Sequence, residues 1–125
     1  MNASYRGINM NDQILYRYLD LSKKIQLDTE GYLVDQKQWD NNVASLLAKD
    51  DGLDLTDQHW EIIQVVRDFY ARYEMAPAMR PLVKATKQAL GDEKGRSVYL
   101  MSLFPGSPPK RIARIAGLPK PTNCL

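Results

Sequence analysis

Thr56-Asp57-Gln58-His59-Trp60-Glu61-Ile62-Ile63-Gln64-Val65-Val66-Arg67-Asp68-Phe69-Tyr70-Ala71-Arg72-Tyr73 is the stretch on which the fold turns. Thr56 is a side-chain cap for a helix that follows it. Trp60, Ile62, Ile63, Val65, Val66, Phe69, Tyr70 and Tyr73 then recur at helical spacing. The apolar stripe is wide, which predicts a long central helix over about 57–73, packed on more than one side.

Downstream, Glu74-Met75-Ala76-Pro77 reads as a turn. A helix is expected from about Ala78 to Leu90, with Pro81 in its first turn, where a missing N–H is tolerated. A short helix from about Gly95 to Phe104 ends at Pro105-Gly106, and a last one from about Pro108 to Ala116 ends at Gly117. Upstream, Trp39, Val43, Leu46 and Leu47 form a helical stripe within Gln36 to Lys49, stopped by Asp50-Asp51-Gly52. Asp50, Asp51, Gly52 and Asp54 have a faint calcium-loop flavour but lack the closing Glu, and read as a helix stop. Lys24-Ile25-Gln26-Leu27-Asp28 alternates polar and apolar, Thr29-Glu30-Gly31 supplies a turn, and Tyr32-Leu33-Val34 reads as the return strand of a β-hairpin. Leu15, Tyr18 and Leu19 fit one face of a short helix capped by Asn11 or Asp12, or else a loose arm. The chain thus divides into an N-terminal extension (1–22), a hairpin plus helices (23–116) and a flexible C-terminal arm (117–125).

With 44% hydrophobic and 26% charged residues, the 125-residue chain suits one globular domain. It has no apolar run of roughly 20 residues, so no membrane partner is expected. Met1 to Ser22 has no secretory pattern, which predicts a cytoplasmic protein. One cysteine and one histidine predict no disulfide, no metal site and no cofactor. Charge is unevenly spread. Through Met79 there are 8 Lys/Arg against 13 Asp/Glu; from Arg80 onward there are 9 against 2. The C-terminal third is therefore cationic and suited to an acidic partner.

Cys124 is the strong nucleophile candidate. It follows Leu118-Pro119-Lys120-Pro121-Thr122-Asn123, whose prolines favour an extended path. Free from Gly117, such an arm reaches about 23 Å at roughly 3.3 Å per residue. Lys120, Lys110, Arg111 and Arg114 are the cations nearest in sequence. Their pull through water is weak, so the free arm is expected to hold a mostly protonated thiol that a partner activates. Arg80, Lys84 and Lys87 fall on one face of the helix after the turn and could touch phosphates. No side chain there stands out as a base reader, so direct DNA binding is not expected. His59 reads as a surface or packing residue.

Ile115-Ala116-Gly117-Leu118-Pro119-Lys120-Pro121 with Thr122-Asn123-Cys124-Leu125 resembles the signature end of the TusE/DsrC family of sulfur-relay proteins. Asp28-Thr29-Glu30-Gly31-Tyr32-Leu33, His59-Trp60-Glu61, Val66-Arg67-Asp68-Phe69-Tyr70, Glu93-Lys94-Gly95 and Leu103-Phe104-Pro105-Gly106 resemble family segments in the same order, from about residue 23 to the end. The resemblance implies a mainly α fold: a small orthogonal helical bundle of helix-turn-helix character with an N-terminal β-hairpin and a mobile C-terminal arm. It implies that Cys124 takes up sulfur as a persulfide. In the TusE-like branch the donor is a TusBCD-type complex and the acceptor an MnmA-type tRNA 2-thiouridylase, through which tRNA is met. The DsrC-like branch works with dissimilatory sulfite reductase and carries a second cysteine ten residues before the first. Here that position is Arg114, which favours one-thiol transfer. The sulfite-reductase role and a helix-turn-helix regulator are the alternatives.

Overall fold

The structure, a computed structural model, describes the backbone of residues 6–8 and 14–122, and side chains from residue 17 to 122. Three strands, β1 (Arg6–Ile8), β2 (Ile14–Asp20) and β3 (Ile25–Asp28), form an antiparallel sheet in that order. Five helices follow: α1 (Asn41–Asp50), α2 (Asp57–Tyr73), α3 (Met79–Leu90), α4 (Ser97–Leu103) and α5 (Pro108–Ile115). The mainly helical character with an N-terminal hairpin agrees with the sequence reading.

The hairpin itself is displaced. β3 pairs with β2, whose residues were expected to be helical or loose. Asp20 makes the turn between them by accepting from the Ser22 and Lys23 backbone N–H groups. The apolar spacing of Leu15, Tyr18 and Leu19 serves either period over so few residues, and pairing with β3 decides it. The proposed caps Asn11 and Asp12 lie outside the described residues. Thr29-Glu30-Gly31 does turn, with Gly31 at φ +89°. The return strand is reduced to a single bridge between Leu27 and Leu33.

The stretch 36–49 also differs from expectation, because two aspartates each start a helix. Asp35 caps a 3-10 turn over Gln36–Gln38, and Asp40 caps α1 by accepting from the Val43 N–H at 2.8 Å. Trp39 falls between them in extended conformation. Its ring is thereby free to leave the helical stripe and reach the far end of the chain.

α2 lies at the centre, packed against α3 and α5. Its Ile62, Ile63 and Val66 join Leu82, Leu100, Phe104, Ile112 and Ile115 in the main core. A smaller core under the sheet holds Leu19, Ile25, Leu27, Leu33, Val43 and Leu47, and Trp39 packs against both. His59 is buried and works structurally. Its Nδ1 accepts from the Thr56 N–H at 3.1 Å, so Nε2 carries the proton and donates to the Leu103 carbonyl at 2.8 Å. One ring thus caps α2 and ties it to the end of α4. We expect His59→Ala to lower unfolding free energy by about 2 kcal/mol, read from the urea midpoint, because two polar backbone groups lose their partners.

Candidate functional site at the root of the C-terminal arm

The end of α5 is closed by a Schellman turn. Leu118 N–H donates to the Ala113 carbonyl at 2.9 Å and Gly117 N–H to that of Arg114 at 3.2 Å, with Gly117 at φ +72°. The next two carbonyls, left free by the helix end, find side chains from elsewhere. Trp39 Nε1 donates to Ile115 O at 2.9 Å, and Arg67 Nη1 donates to Ala116 O at 2.6 Å. The Arg67 guanidinium stacks on the Trp39 ring, 3.7 Å from its centroid. Burial pulls Arg67 below its ordinary pKa, and it remains a cation.

Beyond Gly117 the chain stays against the body. Leu118 and Pro121 are buried, while Lys120 and Thr122 are exposed. Lys120 Nζ bonds Glu30 Oε2 at 2.8 Å, on the turn between β3 and Leu33. The Lys120 hydrogen bond, then the charges of Lys120, Lys110 and Arg114, hold the Glu30 carboxyl below its usual range. Leu118 and Pro121 thus pack the first part of the expected arm against the body. Cys124 lies outside the described residues.

Of the cations singled out in the sequence, α5 and the arm bring four together. Arg111 Nε and Arg114 Nη2 both reach the Asp51 carboxylate, at 2.6 and 3.2 Å. Arg111 also donates to the Asp51 and Pro105 carbonyls. Lys120 bonds Glu30, and the charges of Lys110 and Arg114 also act on that carboxyl. Asp51, read from sequence as a helix stop, is the anion that fastens α5 to the end of α1. Arg80, Lys84 and Lys87 are exposed on α3, a separate helix. Sequence reasoning missed Trp39 and Arg67 as arm-root residues. The available signal was Arg67 itself, a cation between Val66 and Phe69 in a wide apolar stripe.

Among the described residues no group of three or more His, Cys, Asp or Glu could hold a metal ion, and no helix is long and apolar enough to cross a membrane.

Comparison with known proteins places this geometry. The family model for DsrC-like proteins matches residues 21–125. The chain is 48% identical over 103 residues to the sulfurtransferase TusE of Escherichia coli strain K12, covering 82% of this chain and 94% of that protein. It is 47% identical over 102 residues to the sulfurtransferase TusE homolog of Haemophilus influenzae, with the same coverage. Its fold matches the NMR structure of Allochromatium vinosum DsrC with a TM-score of 0.74 and 41% identity, covering 98% of this chain and 100% of that one. It matches the oxidized gamma-subunit of dissimilatory sulfite reductase (DsrC) from Archaeoglobus fulgidus with a TM-score of 0.71 and 43% identity, covering 82% and 93%. By the match of its sequence and of its helical body, this chain belongs to the DsrC-like protein family.

Proposed function

We propose that this chain is a sulfurtransferase of a sulfur relay, and that Cys124 carries the sulfur. The observation that carries the reading is 48% identity to a named sulfurtransferase across nearly the whole of that protein. The lone cysteine beside the chain end supports it.

The chemistry needs one thiol. The Cys124 thiolate attacks the outer sulfur of a donor persulfide. An S–S bond forms at Cys124 as the donor S–S bond breaks, and the donor thiolate leaves and takes a proton. The outer sulfur keeps its oxidation state, so no external oxidant or reductant enters. An acceptor thiol then attacks the same outer sulfur, and Cys124 leaves as thiolate. The expected donor is a TusBCD-type complex and the expected acceptor an MnmA-type tRNA thiouridylase, in the cytoplasm.

The sulfite-reductase partner role is less favoured, because it draws on a second thiol where this chain has Arg114. That side chain is committed to Asp51.

The test is intact mass after incubation with a cysteine desulfurase, cysteine and the donor relay. The protein should gain one sulfur atom that dithiothreitol removes, and Cys124→Ser should gain none. An adduct retained by Cys124→Ser, or none on the wild type, sinks the proposal.

A further inference from the structure

A second surface lies away from the arm. α2 and α3 enclose an open groove of about 640 Å³. Its lining includes Phe69, Ala85 and Ala89, with Arg72 and Tyr73 contributed by α2 and Lys84 by α3. Tyr73 is 53% exposed and its ring sits 4.6 Å from that of Phe69, tilted by 48°. The two small alanines, one turn apart on α3, leave room above them.

The charge around this groove has one dominant sign. α3 holds Arg80, Lys84 and Lys87 and no acidic residue. Arg72, Arg80 and Lys84 are exposed, and among the described residues none of them enters an ion pair. Lys87 meets only Asp92, at 3.9 Å on the open surface. The one carboxylate in the lining, Asp68, accepts from Gln64. Arg80, Lys84 and Lys87 span about 10 Å along the helix at 1.5 Å per residue.

An exposed aromatic face beside exposed cations is the arrangement that binds unpaired nucleotides: bases stack on the ring and phosphates meet the cations. A duplex fits it poorly, because its bases are already stacked on one another. We propose that the α2–α3 groove binds an unpaired RNA loop, with a base stacked on Tyr73, phosphates against Arg72 and Lys84 in the groove, and a further phosphate against Arg80, one turn before Lys84 on α3. The biological meaning rests on the relay role proposed above, in which the acceptor works on tRNA. The relay protein would then hold part of the same RNA directly, through a face separate from its arm root.

The test is fluorescence anisotropy with the full-length protein and three labelled probes: an RNA hairpin with a seven-nucleotide loop, an RNA duplex of equal length, and an acidic amphipathic peptide. The hairpin should bind tightest. Its log–log salt slope should lie near −2, from about −0.7 per phosphate contact over three contacts. Tyr73→Ala should weaken hairpin binding about tenfold with the slope unchanged, and Lys84→Gln should make the slope shallower by about 0.7. Both side chains are exposed, so far-UV circular dichroism should match the wild type. Equal binding of duplex and hairpin, wild-type affinity in Tyr73→Ala, no hairpin binding at low salt, or preference for the peptide would each overturn the proposal. Sulfur loading of the same sample, read by mass, is a separate result and can fail independently.

Discussion

Gly117→Ala should lower the unfolding free energy by about 4 kcal/mol, through a methyl group placed against the Trp39 ring. Two costs combine. The left-handed conformation at φ +72° disfavours any side chain by about 1–2 kcal/mol. The new Cβ would also lie 2.2 Å from Trp39 Cδ1 and 2.6 Å from Trp39 Cγ. Trp39 has no easy retreat, because its Nε1 is bonded to Ile115 O and Arg67 covers its face. Crowding of a fixed ring typically costs about 1–3 kcal/mol. Gly52 separates the two contributions. It has a similar φ of +78°, but a Cβ there meets nothing within 4 Å. Gly52→Ala should therefore cost only the conformational part. Urea midpoints of the two variants decide the matter: equal losses would mean that Trp39 does not wall in the start of the arm.

Asp51→Ala should cost about 2–3 kcal/mol by the same measurement. It would strip the shared anion from Arg111 and Arg114, whose side chains are only 18% and 22% exposed. Breaking a fully buried pair costs about 3–5 kcal/mol, and partial access to water here reduces that figure. Asp51→Asn keeps an acceptor oxygen and should recover roughly half of the loss. The effect should carry into the site, because this carboxylate fixes α5, and α5 fixes where the arm begins. If Asp51→Ala unfolds within 0.5 kcal/mol or so of the wild type, the two guanidiniums are adequately solvated and the fastening is unimportant.

Legibility in the sequence followed the range of the interactions. α2 was found with its bounds and its Thr56 cap because propensity, cap and stripe all lie within one segment. β2 was missed because a strand is specified by its partner, and Ile14–Asp20 has no local feature that excludes a helix. Trp39 was assigned to a helix because its spacing to Val43 fits one. The competing caps at Asp35 and Asp40 won. The family and its lone cysteine were readable from the last eleven residues. The root that holds them was not: Asp51 meets Arg111 and Arg114 across some 60 positions, and Trp39 meets Ile115 across 76. Charge counts marked α5 as cationic without showing that two of its charges were already engaged.

The burial of Pro121 changes the size of the space the sulfur can search. Measured from Gly117, the covalent leash to Cys124 would be about 23 Å; measured from Pro121 it is about 10 Å, whatever path the last residues take. Reachable volume scales with the cube of that length, so it contracts about twelvefold. A partner seated on the face around Glu30 and Lys120 would meet a thiol at correspondingly higher effective concentration, while a site farther out would meet none at all. If Cys124 carries the relay sulfur as proposed, the seat acts as a spatial filter on exchange: small thiols would reach the sulfur by diffusion, but a macromolecular active site would have to come to the protein's own surface to collect it.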